Sequence, residues 1–381
     1  MSVDSGSDSA FLLSRIRGLF EGPNTIGNST PFWIAFAAAV VGLAAYPQLT
    51  DPFTIRLTTR YLAVAFLALS LCFVWGYCGV LSFGQVAFFG VAAYTFGAIG
   101  INFSSATGIT AAVVGAILVG TAFAAVLGYF MFYGGVRDVY VTIITLVVAL
   151  VLHTFMAQTA GSEWAIGDAR LGGFNGMTDI PDLPVDTVGA VIPLEFTEIT
   201  IFYYVVLLTL VATYLGLRVL VNSRFGMTMV AVREDEERTA TFGYNVPFIK
   251  LVTFTIGGAL AAVGGVFYAS WGNFIDPGVF AIGFAALPVV WVSVGGRESL
   301  LGAIGATLLI ERMRTGLSDG VAGVIGPEWA LVIVGGLLLF VILVMPAGVA
   351  PSLERAGQRI LDRGSDDTTP PSPTEEALND D

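Results

Sequence analysis

Long apolar segments separated by short polar ones run along the chain from residue 31. A bilayer core of roughly 30 Å needs roughly 20 apolar residues per helix, and windows of that length recur throughout the sequence. The pattern predicts an all-α, polytopic transmembrane helix bundle of about ten spans, with about eight to ten compatible with it. The predicted spans are 31–49, 61–79, 85–104, 110–132, 139–160, 199–221, 250–271, 280–296, 299–316 and 328–345.

Two of these segments carry a weaker signal than the rest. The span at 280–296 is short, and the sequence "GYCGVLSFGQ" (76–85) is rich in glycine. Either segment suits a broken or re-entrant helix, which would change the number of spans without necessarily moving the termini.

Polar segments divide the chain into regions. Under one arrangement most of the seventeen lysines and arginines fall on a single side of the membrane, which predicts cytoplasmic N- and C-termini. Within the first region, "FLLSRIRGLF" (11–20) fits an interfacial helix as well as it fits a plain leader. The predicted regions are a cytoplasmic leader (1–30), a transmembrane domain (31–348) with an acidic external loop (161–198) and a charged cytoplasmic loop (222–249), and a disordered acidic cytoplasmic tail (349–381).

The composition agrees with a membrane protein. Hydrophobic residues make up 55% of the chain and charged residues only 12%, against about 25% charged in ordinary soluble domains. The formal net charge is −12 and Lys250 is the single lysine, which suggests a protein from a halophile with a high-salt cytoplasm. A measurement of intracellular salt tests that hypothesis. Cys72 and Cys78 lie in one apolar run, off a shared helical face, and are interpreted as packing residues.

The sequence lacks the common motifs of membrane enzymes and motors. It contains no H-E-x-x-H, G-x-S-x-G or G-x-x-x-x-G-K-[ST] pattern, so we expect no catalytic centre, no metal or cofactor bound by this chain, and no nucleic-acid partner. The single histidine, His153, lies in an apolar span, where a hydrogen bond to a neighbouring helix is favoured over a substrate contact. Glu311 and Arg312 are interpreted as an interfacial pair or an external vestibule feature rather than a proton relay.

A dense run of charge, from Arg233 to Arg238, stands between two long apolar segments. The residues from Gly226 to Phe242 suit a short helix, and Gly243 can end that helix in a left-handed conformation. A short charged helix held between two spans is suited to insert into a groove of a partner protein. The alternative is a solvated connector, which charge runs usually are.

Two longer stretches resemble a known family. "VREDEERTATFGYNVPFIKLVTFTIGGALAAVGGVFYA" (232–269) is similar to the cytoplasmic coupling segment and following span of permeases from the branched-chain amino acid and urea class of ATP-binding-cassette importers. "GYCGVLSFGQVAFFGVAAYTFGA" (76–98) resembles an early Gly-turn segment of the same family, and the resemblance covers about residues 60 to 350. It implies that a cassette ATPase is contacted by Arg233, Glu234, Asp235, Glu236, Glu237, Arg238, Ala240 and Gly243.

The same resemblance implies the partners and the mechanism. The expected partners are cassette ATPase subunits that use the ATP, a second homologous permease subunit that completes a heterodimer, an extracytoplasmic solute-binding protein and the lipid bilayer of the cell membrane. The implied mechanism is alternating access, in which closure of the ATPase is passed through the charged loop to Gly-broken helices.

The substrate is the least constrained expectation. The stretches 140–150, 171–180 and 291–303 look most like urea and short-chain amide permeases, although the chain departs from that pattern at Glu298, where a small residue is typical, and in the insertion 162–170. An amino acid zwitterion favours buried charge or helix ends, whereas the expected pathway is nearly uncharged, which favours a neutral solute. A branched-chain amino acid permease and a passive small-solute channel are the alternatives. The predicted pathway residues, each of which can instead serve hydrogen bonds within the bundle, are Ser82, Gln85, Tyr94, Thr142, Thr145 and Asn175.

Overall fold

The computed structural model describes residues 18, 20–25, 27–183, 198–320, 335, 336, 348 and 352. Helices dominate these residues, and the strands β1 (Ala165–Ile166) and β2 (Ala169–Arg170) form one short antiparallel pair. The α-helices are α1 (Thr30–Ala45), α2 (Pro52–Leu71), α3 (Gln85–Asn102), α4 (Ala106–Tyr133), α5 (Asp138–Ala157), α6 (Glu198–Asn222), α7 (Arg224–Glu234), α8 (Glu236–Thr241), α9 (Val246–Gly272), α10 (Ile282–Gly295) and α11 (Leu300–Gly320). The other helical turns are the 3₁₀ turns Tyr46–Gln48, Gly173–Asn175 and Pro277–Phe280 and the π-helical turn Cys72–Tyr77.

Seven helical segments in the described ranges are long and apolar enough to cross a membrane. They confirm the first seven predicted spans as helices and agree with a polytopic helical bundle, although several ends differ from the prediction. The segments are Thr30–Gln48, Pro52–Tyr77, Gln85–Asn102, Ala106–Tyr133, Val139–Ala157, Glu198–Asn222 and Val246–Gly272.

The second span begins earlier than predicted, at Pro52. Asp51 caps this helix, because it accepts hydrogen bonds from the Thr54 hydroxyl at 2.8 Å and from the Thr54 backbone N–H at 3.0 Å. These two bonds hold the pKa of the Asp51 carboxyl below its ordinary value. Arg56 and Arg60 lie in the first turns and lower the local hydropathy, which is why the apolar window alone starts later.

The predicted spans 280–296 and 299–316 correspond to a bent helix pair. α10 and the first part of α11 are long and apolar enough to cross a membrane only when taken together, and they are bent by 119° at a short break. α10 has 14 residues, about 21 Å of helix, which is less than a bilayer core of about 30 Å. Gly296 has a φ of +102°, a conformation that glycine adopts without strain. Apart from residues 335 and 336, the predicted span 328–345 lies outside the described residues, so the count of ten stays a prediction.

α2 and α9 form the centre of the bundle. Residues 61–74 are nearly all buried, and α2 packs against α6, α9 and α11, while α9 also packs against α3 and α4. Small residues permit this close packing. A Cβ atom at Gly265 would lie 2.1 Å from the carbonyl oxygen of Phe89, and one at Gly258 would lie 2.2 Å from the Cβ of Ala124. Glycine and alanine therefore mark helix contacts here.

α1 lies at the periphery of the bundle. Only 6% of the residues in its apolar, membrane-length segment are buried. At one end the Tyr203 hydroxyl of α6 donates a hydrogen bond to the Leu43 carbonyl oxygen at 2.7 Å. At the other end Arg218 of α6, which is 1% exposed, donates to the carbonyl oxygens of Phe20 at 2.6 Å and Gly27 at 2.7 Å. α1 is thus attached mainly through its two ends.

The two ends of the bundle carry different structures. We call the end with α7 and α8 the loop end. At the opposite end Arg56 of α2 donates a hydrogen bond to the Trp271 carbonyl oxygen of α9 at 3.2 Å, so these two helices run antiparallel. The described part of the predicted external loop also lies there, with the β1–β2 pair and a backbone bridge between Met177 and Ile275.

Candidate functional site

The chain leaves its helical path inside the bundle at residues 78–84, which we call the first helix break. The π-helical turn ends at Tyr77, and Gly79 has a φ of +79°. α3 begins at Gln85, whose Oε1 accepts a hydrogen bond from the Ser70 hydroxyl of α2 at 2.7 Å. Since helical structure continues beyond Ser70 for about two turns, α3 begins beside the interior of α2 and not at the bundle end.

α5 binds the backbone of the first helix break. The Thr142 hydroxyl donates a hydrogen bond to the Leu81 carbonyl oxygen at 3.0 Å, and the Phe83 N–H donates to the Thr145 hydroxyl oxygen at 3.2 Å. The Ser82 hydroxyl oxygen accepts the backbone N–H two residues further along, at 3.0 Å. These three predicted pathway residues satisfy backbone groups that no helix satisfies, which lets non-helical chain lie within the bundle.

Residues 273–281 form the second helix break, between α9 and α10. Asn273 ends α9 with a φ of +50°. Further along, the Phe280 ring lies against Gly90 of α3, where an added Cβ would be 2.2 Å from the ring. The same ring stacks on Tyr94 with a centroid separation of 6.0 Å. Both helix breaks therefore contact α3.

Three buried polar atoms on α3 and α10 have no hydrogen-bond partner in the described part of the chain. They are Nε2 of Gln85, the hydroxyl oxygen of Tyr94 and Nε1 of Trp291, and their residues are at most 5% exposed. Buried polar atoms nearly always bind protein or water, so these three suit an interior that holds water or a polar solute. Gln85 and Tyr94 are predicted pathway residues. Trp291 is not, and its only signal is an indole N–H within an apolar span.

Two residues singled out from the sequence lie apart from these groups. Asn175 is an exposed residue of a 3₁₀ turn at the opposite end, so it does not join the other predicted pathway residues. His153 is half-buried on α5 and has no hydrogen bond to any residue that the structure describes. Its predicted bond to a neighbouring helix is therefore not confirmed.

Glu311 is a buried carboxylate that pairs with two partly exposed arginines at the opposite end. Its side chain is 2% exposed, and its carboxylate lies 3.6 Å from Arg60 and 3.1 Å from Arg314. The predicted pairing with Arg312 is wrong, because residues three apart share a helix face and adjacent residues do not. The cluster joins α2 to α11, so its evident role is structural.

The charged loop, residues 223–245, forms two short helices instead of the single helix predicted for Gly226 to Phe242. Asp235 lies between α7 and α8 in an extended conformation, with φ −158° and ψ 100°. Its Oδ1 accepts the Arg238 N–H at 2.9 Å and caps α8. The uninterrupted charge run hides this break, since a capping aspartate there reads as one more surface charge. Gly243 has a φ of +89°, which confirms it as the helix stop. We call this segment the docking loop.

The predicted coupling residues divide into two groups by the direction they face. Lys250 at the start of α9 binds the carboxylate of Glu236, and Arg233 is only 17% exposed. The exposed group forms the outer face of the docking loop, together with two exposed aromatic rings. Its members are Glu234, Glu237, Arg238, Ala240, Phe242 and Tyr244.

Arg233 joins three parts of the loop end. Its Nη1 donates a hydrogen bond to the carbonyl oxygen of Gly76, in the π-helical turn, and lies 3.1 Å from Oε1 of Glu298. Its Nη2 also donates to Glu234 at 2.7 Å. Glu298, where the sequence departs from the expected small residue, thus supplies a carboxylate to the docking loop.

A membrane bundle with two internal helix breaks and a charged helical loop at one end defines a polytopic transport protein. Residues 53–342 match the family described as "Branched-chain amino acid transport system / permease component". The chain belongs to that family. It is a permease of the branched-chain amino acid class of ATP-binding-cassette importers, a multi-pass protein of the cell membrane and a transport subunit that is not itself catalytic.

Curated relatives agree with this family. The chain is 26% identical over 344 residues to the high-affinity branched-chain amino acid transport system permease protein LivM of Escherichia coli K12, covering 86% of this chain and 77% of that protein. It is 34% identical over 160 residues to permease protein BraD of Pseudomonas aeruginosa, covering 40% and 50%, and 31% identical over 138 residues to permease protein LivH of E. coli K12, covering 35% and 42%. No solved structure matches the chain.

These relatives bear on the expected substrate. All three are named for branched-chain amino acid transport, so the comparisons do not support the urea and short-chain amide expectation. They fit the alternative of a branched-chain amino acid permease. That two of the relatives, LivM and LivH, are both permease proteins of such systems agrees with a second permease subunit as partner.

Proposed function

We propose that this chain is one of two permease subunits of an importer that carries aliphatic amino acids into the cytoplasm by alternating access. Separate cassette ATPase subunits, docked on the docking loop, use the ATP, and an extracytoplasmic binding protein delivers the substrate. The loop end faces the cytoplasm in this proposal, in keeping with the arginines of the docking loop and the positive-inside rule. The observation that carries the proposal is the exposed outer face of the docking loop.

That face combines features of a protein interface. Phe242 and Tyr244 are 75% and 53% exposed beside the charged side chains of Glu237 and Arg238. Aromatic residues and arginine dominate the binding energy of many interfaces, and a rigid loop loses little entropy on binding. The caps at the starts of α7, α8 and α9 supply this rigidity. They involve the side chains of Ser223, Asp235 and Asn245.

The interior offers groups that suit the carboxylate of an amino acid. Of the three unpartnered groups, the Gln85 amide nitrogen and the Trp291 indole are hydrogen-bond donors, and the Tyr94 hydroxyl can donate. A carboxylate accepts hydrogen bonds and is favoured near helix N-termini, two of which, those of α3 and α10, follow the helix breaks. The aliphatic side chain would meet apolar helix surface. The names of the relatives point to the same substrate class.

Uptake by the complete system tests this proposal. The chain is expressed with the ATPase, second permease and binding-protein chains from its gene neighbourhood, in cells without their own leucine and urea uptake, and labelled leucine and urea are supplied separately. We expect leucine uptake that stops when the ATPase chain is left out. Urea uptake without leucine uptake would overturn the substrate, and uptake that persists without the ATPase would indicate a passive channel.

The outer face of the docking loop has a direct test of its own. Replacing both Phe242 and Tyr244 with alanine should lower co-purification of the ATPase chain at least about tenfold, because truncated aromatic anchors commonly cost about 2 kcal/mol or more of binding free energy. Phe174→Ala is the matched control, since Phe174 is 77% exposed at the opposite end. Equal ATPase recovery with the double variant and the control would count against docking on this face.

A further inference from the structure

We propose that Arg233 is a positioning residue that passes movement of the docking loop to both helix breaks of the bundle. The inference rests on the proposed function, because it requires an ATPase that moves the docking loop. The contact set that carries it consists of Arg233, Gly76 and Glu298, which we call the Arg233 clamp.

The geometry of the clamp is specific. Arg233 lies in the last turn of α7, and its guanidinium turns away from the outer face toward the bundle, where it binds a backbone carbonyl and a carboxylate on two different segments. A planar guanidinium presents five donors in a fixed fork, so one side chain can hold both acceptors in a defined relative position. A solvated connector needs no such bond, since its arginines are satisfied by water.

The two segments held by Arg233 are themselves in close contact. A Cβ atom at Gly76 would lie 1.8 Å from the carbonyl oxygen of Arg297, so only glycine permits this approach. The Tyr77 hydroxyl donates a hydrogen bond to the Glu298 carbonyl oxygen at 3.0 Å, and the Cys72 thiol lies 3.2 Å from the Arg297 carbonyl oxygen. A shift of Arg233 therefore reaches the end of the π-helical turn and the turn between α10 and α11 together.

Each of these turns leads to one of the internal helices. The π-helical turn is followed by the first helix break and then by α3, which begins with Gln85. The turn at Glu298 ends α10, the short helix that carries Trp291 and follows the second helix break. The clamp thus connects the docking loop to the two helices that bear the unpartnered polar atoms.

Other charges of the docking loop make more local contacts. Glu236 binds Lys250 on α9, the helix that directly follows the loop, and Arg238 is 74% exposed beside Asp235 of the same loop. Within the described part of the chain, Arg233 is the charged loop residue that bonds to α2's π-helical extension and to the α10–α11 turn. Arg224, an exposed arginine in the first turn of α7 that is not part of the outer face, offers a matched control on the same loop.

The experiment compares uptake with ATP hydrolysis in the purified complete complex, reconstituted in liposomes with its binding protein. The variants are Arg233→Gln, Glu298→Gln, the double variant and the control Arg224→Gln. We expect the ratio of leucine taken up to ATP hydrolysed to fall roughly tenfold in each clamp variant, within the range typical of coupling between sites. The ATPase should co-purify normally, and Arg224→Gln should keep the wild-type ratio. The double variant should lose no more than Arg233→Gln alone, because the two single changes remove the same interaction between Arg233 and Glu298.

Two results would overturn the inference. One is a wild-type ratio in Glu298→Gln, a half-exposed residue whose neutral replacement leaves the fold intact. The other is a loss of uptake in strict proportion to ATPase recovery, which would make the clamp part of docking and assembly. A wild-type complex that fails to couple ATP hydrolysis to uptake would instead defeat the proposed function, so the two failures are distinguishable.

Discussion

Oppositely charged side chains join helices at both ends of the bundle, and the carboxylates at the two ends differ in burial. At the opposite end Glu311 is 2% exposed between Arg60 and Arg314, whereas at the loop end Glu298 is 46% exposed beside Arg233. Removing one partner of a buried pair leaves an uncompensated charge, while a half-exposed charge is rehydrated at little cost. The opposite end therefore favours a single arrangement, and the loop end can break and re-form its contacts.

The largest effect that this comparison predicts is at the opposite end. Glu311→Ala should lower the free energy of unfolding by about 3 kcal/mol, because Arg60 and Arg314 lose their shared carboxylate. Thermal unfolding of the detergent-solubilised protein measures the change. Glu311→Gln, which keeps the size and one acceptor oxygen, should lose less. An unchanged thermal unfolding transition in Glu311→Ala would show that the buried carboxylate does not make this end more stable than the loop end.

An intermediate effect is expected where the clamp segments touch. Gly76→Ala should lower the free energy of unfolding by about 2 kcal/mol, because the new methyl group meets the Arg297 carbonyl oxygen, a backbone atom that cannot rotate away. Gly216→Ala on α6 is the control, since nothing lies within 4 Å of its added Cβ and alanine favours helix. The same thermal assay compares them, and matching transitions for the two variants would contradict close packing at the loop end.

The smallest stability effect is expected at Glu298. Glu298→Gln should change the free energy of unfolding by less than about 1 kcal/mol, because this half-exposed carboxylate contributes a weak ion pair. The liposome preparations used for the coupling ratio also provide the unfolding measurement. A destabilisation as large as that of Glu311→Ala would remove the distinction between the two ends.

Hydropathy was sufficient for most of the fold because membrane helices are specified locally. Windows of apolar residues located seven helices. The apolar window did not reach the start of α2, because Arg56 and Arg60 lower the hydropathy there. Both arginines lie at the end of the bundle. The sequence marked 280–296 as suited to a broken or re-entrant helix, which the bent pair agrees with, but its pairing with α11 was not predicted because the 119° bend depends on tertiary contacts.

The site was less accessible to sequence reasoning. The charge run correctly marked a distinct loop, but Asp235 splits it, and nothing local reveals which charges face inward. The bond from Arg233 to Gly76 joins residues 157 positions apart, so no sequence window contains both. Gln85 and Tyr94 could be proposed from polarity alone. Trp291 could not, because tryptophan is an ordinary residue in an apolar span.

The attachment of α1 has a consequence for how sequences in this family can diverge. Only 6% of the residues in its apolar, membrane-length segment are buried, and the family match begins at residue 53, after this helix. Substitutions on a surface that faces lipid need only keep the side chain apolar, whereas those in α2 must fit a packed interior. Sequence divergence among orthologues should accordingly be fastest in α1 and slowest in α2.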